Sequence, residues 1–247
     1  MTRDEIDEAA ARDGSKRSPN MRPRDAATIL VLDKRDGEWH FLMGRRHERH
    51  KFMPGLFVFP GGRVDRGDGS IPAVRELDPL IESRIVRNLR AKPSKRRARA
   101  LALASIRETY EEAGLFIGER GDRSLGSPHP DWRAFSERRI VPDLSCLSLM
   151  ARAITPPGRN RRFDTWFFAT RREHVAEELP GGIGPTDELE DVHWLTFRRA
   201  NDLDLPVITV AMLKEFRERL ADDPELKATT EIPFYHMVSK TMRRELI

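Results

Sequence analysis

Residues 104–118, ASIRETYEEAGLFIG, set Glu108, Glu111 and Glu112 within five positions of a helical run, with Arg107 beside them. At about 100° per residue the three carboxylates share an arc of about 100°. Glu108 and Glu112 lie one turn apart, a like-charge pair that costs a bare helix roughly a few tenths of a kcal/mol. Glu108 has Ala104 one turn before it and Glu112 one turn after, and Glu111 has only Arg107 for a local cation. Carboxylates at i, i+3 and i+4 are expected to converge on one point, where a hard divalent cation would turn repulsion into binding. Mg²⁺ is typically held by a few carboxylates, waters and phosphate oxygens. The chemistry this implies is metal-assisted cleavage of a phosphoanhydride. The plainer alternative is the solvated outer face of an amphipathic helix.

The helix itself is expected over Lys95–Ala113, with Ser94 as N-cap and Gly114 as C-cap. Ala102, Leu103, Ile106, Tyr110 and Ala113 share the face that should bury, opposite the glutamates. Upstream, residues 26–33 and 39–46 read as a hairpin around an Asp-Gly turn, and 55–62, GLFVFPGG, as one strand ended by Pro60, Gly61 and Gly62. Residues 76–90 carry Leu77, Leu80, Ile81, Ile85 and Leu89 near helical spacing. Further on, 148–155, 164–170 and 191–197 read as strands, and 208–221 as an amphipathic helix. One α/β domain over 26–247 is expected, preceded by a charged, mobile tail over 1–25.

The chain has 247 residues, 38% of them hydrophobic, enough for a sizeable core. No apolar run approaches the roughly 20 residues that span a bilayer, so no membrane partner is expected. Cys146 is the single cysteine and reads as a small core residue; with no secretion signal evident, a reducing cytoplasm is the expected location. Net charge is +4, with basic clusters at 44–51, from 92 onward and at 158–162 that suit an anionic partner. Aromatic-interleaved RNA-reading motifs are absent, so a phosphorylated metabolite is expected rather than nucleic acid. His47 and His50 sit among Arg and Lys, which repel a metal ion, and are expected at the surface.

Arg107, Glu108, Glu111, Glu112, Gly114 and Leu115 resemble the second half of the Nudix box, G-x5-E-x7-R-E-U-x-E-E-x-G-U with U a bulky apolar residue; Thr109 takes the first U. The first half is displaced. Gly62 of VFPGGRVDRGD stands in the leading position with Asp68 where the box has Glu, and 45 positions separate Gly62 from Arg107 instead of 14. An insertion of about 31 residues, centred on 69–94, thus splits the box. This pattern is similar to the peroxisomal coenzyme A diphosphatase branch of the Nudix hydrolases. Gly55 and Phe59–Gly62 match the second half of that branch's coenzyme A element, with Lys51 in place of its Arg.

The resemblance implies a Nudix-type α/β/α sandwich with a mixed sheet and a helical insertion in the Nudix loop, acting as a pyrophosphohydrolase that needs Mg²⁺ or Mn²⁺. It implies that Glu108, Glu111 and Glu112 coordinate the metal and that Arg107 orients a glutamate through a salt bridge. The general base would be Glu108 or a downstream acid, Glu188 or Glu190, and Gly61 and Gly62 would let the loop backbone approach metal and phosphate. Asp65 and Asp68 are weaker site candidates. Arg45, Arg46, Lys51, Arg161 and Arg162 are candidates for holding substrate phosphates. Trp166, Phe167 and Phe168 are expected in the core, with adenine stacking as the alternative. The insertion is either a lid or a packed decoration. The expected substrate is a small nucleoside diphosphate derivative, coenzyme A or acyl-CoA first; the alternative is a non-catalytic Nudix-like module binding a nucleotide or RNA. The oligomeric state is not legible.

Overall fold

The computed structural model describes residues 21–49, 54–122, 125, 129–239 and 241–247. The first twenty residues, His50 and Lys51 lie outside the described residues.

Strands β1 (Arg24–Arg35) and β2 (Glu38–Arg46) form the expected antiparallel hairpin. Its turn residues Asp36 and Gly37 have φ of 50° and 82°, which Asp-Gly tolerates and which matches strand twist. The stretch 55–62 is not one strand. β3 (Phe57–Val58) pairs with β2, and β4 (Gly61–Arg63) pairs with β1. Pro60 lies at the switch, where the absence of an N–H ends ladder pairing.

Next in the chain come α1 (Pro79–Asn88), α2 (Lys95–Ala113), β5 (Leu115–Ile117), β6 (Glu119–Arg120), α3 (Arg133–Glu137), β7 (Ile140–Val141), β8 (Ser148–Ile154) and β9 (Phe163–Arg171). β10 (Val175–Glu178), β11 (Leu189–Thr196), α4 (Phe197–Ala200), α5 (Val207–Asp222), β12 (Pro233–Val238) and β13 (Thr241–Leu246) complete it. Among the described residues the main sheet runs β11-β2-β1-β9-β8-β12-β13, with β3 and β4 attached to β2 and β1. β1 is central, paired in parallel with β9 from Arg24↔Phe163 to Leu32↔Arg171. The sheet is therefore mixed, as expected.

Strand alternation divides the core into two layers. Ala27, Ile29 and Val31 face a cluster that includes Leu101, Leu103 and Ile106 of α2, whereas Leu30 and Leu32 face Met212, Leu213 and Phe216 of α5. The layers are helix, sheet, helix. Trp166 and Phe168 are fully buried and Phe167 nearly so, which makes them core residues. Cys146 is half-buried, and burial pushes its thiol up to about 11, in keeping with an inert packing role.

The insertion packs rather than projects. α1 begins at Pro79, not at residue 76, because Asp78 caps it by accepting the Leu80 N–H (2.7 Å) and Pro79 fits the first turn. Leu77, Ile81, Ile85 and Leu89 bury in the same cluster as α2. Arg84 also donates to the Thr230 carbonyl (2.8 Å), and Arg152 to that of Asn88 (2.7 Å). β12 and β13, absent from the sequence reading, extend the sheet past β8. No helix among the described residues is long and apolar enough to cross a membrane.

Candidate active site

α2 starts and stops where its caps dictate. Ser94 Oγ accepts the Arg97 N–H at 3.2 Å, and Gly114 ends the helix at φ 69°. Leu101, Leu103 and Ile106 are fully buried. At roughly 1.5–3 kcal/mol each, their burial far outweighs the repulsion between Glu108 and Glu112.

The acidic face is not the solvated outer face of the plainer reading. Glu112 is only 2% exposed and Glu108 lies largely inside, because two distant segments close over the last turns of the helix. From one side, β4 brings Gly61 N–H to Glu112 Oε2 at 2.9 Å. Gly62 lies so close that a Cβ on it would sit 2.5 Å from the Glu108 carboxylate carbon. From the other side, Gly184 N–H reaches the Glu112 carbonyl (3.3 Å), and Thr186 N–H and Oγ1 reach that of Glu111 (3.2 and 2.7 Å). These bonds satisfy carbonyls that a helix end leaves open.

Arg107 organises the floor of the site. Its side chain is 3% exposed, and its fork grips Asp68 through Nε (3.0 Å) and Nη2 (3.2 Å). Nη1 donates to Glu108 (2.9 Å) and Glu111 (2.8 Å), and Nη2 also to the Arg63 carbonyl (2.8 Å). Burial opposes its charge, but Asp68 and both glutamates hold the guanidinium above its ordinary pKa.

Asp68, fully buried, also accepts the Asp65 N–H (2.9 Å) and Trp132 Nε1–H (3.2 Å). The weak sequence candidate is thus the principal anchor of Arg107, while Asp65 stands 3.8 Å from it and 45% exposed. Trp132 was not singled out by sequence, since nothing local ties a tryptophan to a carboxylate 64 residues away. Trp132→Phe is expected to keep the packing but lose the donor, lowering stability by about 1–2 kcal/mol in urea denaturation.

Negative charge exceeds positive here. Burial pushes the Glu108 carboxyl up to about 7, with Glu111 and Glu188 adding to the rise and Arg107 opposing it. Burial and then Glu108 drive Glu112 well above the ordinary carboxylate range, against Arg46 and the Gly61 N–H. Glu111 is raised too, by burial first, against Arg107.

The three helix glutamates do not converge on one point as the spacing predicts. Among the described residues, no three His, Cys, Asp or Glu side chains cluster as a set of metal ligands. The reason lies in their partners: Glu108 and Glu111 share Arg107 Nη1, whereas Glu112 turns to Gly61. The donor set nonetheless fits a hard divalent cation. It consists of buried carboxylates that burial and mutual repulsion push above their ordinary range, beside Gly62, whose missing Cβ makes room for the Glu108 carboxylate.

Around this centre the other candidates separate. Glu188, just ahead of β11, lies close enough to raise both Glu108 and Glu112, and sits 3.5 Å from Arg46. Glu190 instead pairs with Arg45 (2.8 Å), with His47 at 4.0 Å. Arg45 also holds Asp191 at 2.9 and 2.7 Å, so its Nε and Nη2 are engaged by carboxylates. Arg46 is different: its Nε is buried without a hydrogen-bond partner among the described residues. Arg162 donates to the Thr155 (3.0 Å) and Met21 (2.7 Å) carbonyls, which commits it to the backbone, and Arg161 is exposed beside it.

The two separated halves of the motif meet in space: Gly62 abuts Glu108, and Asp68 clasps Arg107. No family model matches the chain. The crystal structure of a NUDIX hydrolase from Alicyclobacillus acidocaldarius superposes with a TM-score of 0.60 at 27% identity, covering 85% of this chain and 97% of that one. The chain is a Nudix superfamily member. Within the superfamily it resembles the coenzyme A diphosphatase branch. It is 25% identical to the acyl-coenzyme A diphosphatase NUDT19 of Gallus gallus, over 63% of this chain and 58% of that one. It is 24% identical to the putative nudix hydrolase 7 of Caenorhabditis elegans, over 70% and 51%. This Nudix chain thus spans little more than half the length of the curated relatives it matches.

Proposed function

We propose that this chain hydrolyses a phosphoanhydride bond in a nucleoside diphosphate linked to another group, with coenzyme A or an acyl-CoA as the first substrate to test. The observation that carries this reading is the buried carboxylate set of α2, closed against Gly61–Gly62 and braced by Arg107. The naming of NUDT19 as an acyl-coenzyme A diphosphatase supports the choice of substrate.

Glu108, Glu111 and Glu112 would hold one or more divalent ions, Mg²⁺ or Mn²⁺. Such an ion, when bound, supplies Lewis-acid stabilisation of charge on the phosphoryl oxygens. Arg107 fixes Glu108 and Glu111 in place, and the dry setting of that ion network keeps it rigid. The Nε of Arg46, buried and unpartnered among the described residues, would give the substrate a charged donor beside Glu112 and Glu188. Glu188 is the better placed of the two downstream acids to take a proton from the attacking water, because Glu190 is engaged by Arg45. Glu188→Gln is expected to lower kcat by about 10²-fold or more, and Glu190→Gln by only a few-fold.

A screen of coenzyme A, NADH, ADP-ribose, nucleoside triphosphates and diadenosine polyphosphates, each with Mg²⁺, Mn²⁺ or EDTA, tests the reading. Metal-stimulated release of a phosphorylated product from at least one diphosphate is expected. Salt-sensitive RNA binding with no such release would favour the non-catalytic module instead.

A further inference from the structure

A cavity of about 450 Å³ opens between the start of β1 and the loop that follows β4, lined by Arg24, Asp25, Arg63, Asp65, Arg66 and Arg97. Its remaining lining is Pro23 and Val64, so among the described residues no aromatic ring there offers a base a surface to stack on. The cavity and the acidic site share the segment around β4. Asp65 lies 3.8 Å from Arg107, whose Nη2 donates to the Arg63 carbonyl at 2.8 Å. Gly62, the residue before Arg63, abuts Glu108.

The charges around the cavity do not balance. Arg97 grips Asp25 through Nε (2.5 Å) and Nη2 (2.6 Å), which neutralises that carboxylate and fixes one wall. Arg24, Arg63 and Arg66 are exposed, and among the described residues no carboxylate pairs with their side chains. Guanidinium groups bind phosphate oxygens through forked hydrogen bonds, more selectively than a point charge does. A cavity of this volume takes a phosphate together with the sugar that bears it.

We propose that this arginine-lined cavity is a second anion subsite, holding a phosphomonoester that the substrate carries apart from the diphosphate to be cleaved. The proposal rests on the diphosphate-hydrolase reading above for its substrate, but the subsite is open to a test that needs no turnover. It would select nucleoside diphosphate derivatives with an additional phosphate on the sugar over those without one, while the acidic site does the same chemistry on both.

The test is calorimetric titration in EDTA, where the carboxylates of α2 repel phosphates and binding reports the arginines. Adenosine 3′,5′-bisphosphate is expected to bind the wild-type chain about 10-fold more tightly than AMP, and Arg24→Ser/Arg66→Ser to reduce that preference to about 3-fold or less. Both side chains are exposed and unpaired among the described residues, so an unchanged melting temperature is the control for folding. In turnover, the double variant is expected to raise KM about 10-fold for a diphosphate bearing the extra phosphate, with kcat kept and KM for the counterpart lacking it unchanged. Equal binding of the two nucleotides by wild type, no binding of either, or a preference retained in the variant would overturn the subsite. A preference that the variant loses, in a chain that cleaves no diphosphate with Mg²⁺, supports the subsite and removes only the hydrolase reading.

Discussion

Glu112→Gln is expected to fold as well as the wild type and to lose about 10²- to 10⁴-fold in kcat. On the proposed metal-dependent reading, the activity loss follows from removing one ligand charge from a site where a cation would be worth several kcal/mol, with about 1.36 kcal/mol per tenfold. The retained fold follows from geometry. Among the described residues Glu112 Oε2 accepts only the Gly61 N–H, at 2.9 Å, and an amide oxygen of the same shape can accept it too. Its carboxylate is held well above the ordinary range by burial and by Glu108, so a neutral side chain relieves a cost in the metal-free protein. Initial rates at saturating Mg²⁺, paired with melting in EDTA, separate the two effects. A variant that melts higher in EDTA yet hydrolyses at the wild-type rate would remove Glu112 from the chemistry.

The second large effect is a dependence of stability on pH. Glu108 goes from an ordinary carboxylate value of 4.5 to about 7 in the folded, metal-free chain. A raised carboxylate means that the folded state binds the proton more tightly than the unfolded one. The contribution is therefore fully present below about 4.5, is lost as pH rises through 7, and is flat above it. Its size is on the order of 3 kcal/mol. Urea denaturation of wild type and Glu108→Gln in EDTA, from pH 4.5 to 8, isolates it as a difference. The wild type should lose stability relative to the variant across that window, and added Mg²⁺ should restore it by favouring the ionised form. Parallel curves would mean that Glu108 does not titrate in this range.

What could be read from the sequence is what local chemistry decides. The limits of α2 follow from Ser94 and Gly114, and the β1–β2 hairpin from Asp36–Gly37, because caps and turns act within a few residues. The split motif was also legible, since Gly62 and Arg107 each carry enough neighbours to be placed despite the insertion. The burial of Glu112 was not. It depends on Gly61 and Gly184, both more than fifty residues from it in the chain, and helical periodicity assigns the residue to the outer face. Nor was convergence of the glutamates a safe reading of i, i+3, i+4 spacing. Arg107 lies on the same face and draws Glu108 and Glu111 to itself.

The same contrast holds at the edges of the site. Glu188 and Glu190 looked equivalent in TDELEDVHW, but Asp187 turns the backbone at φ 53° before β11 begins at Leu189, and only Glu190 meets Arg45. Trp132 and Asp68 join only through tertiary packing. β13 escaped because TMRREL has few apolar residues, and β12 because PFYHMV does not alternate cleanly; β12 is fixed by pairing with β8 instead.

The central claim is that the carboxylates gathered at the end of α2 take a divalent cation. Mn²⁺ titration followed by electron paramagnetic resonance at pH 8 tests it most directly, on the wild type and on Glu108→Gln/Glu111→Gln/Glu112→Gln. The wild type should remove free Mn²⁺ signal in a saturable way, and the triple variant should weaken that binding by about 10²-fold or more. Equal Mn²⁺ binding by both proteins, with the triple variant folded, would contradict it.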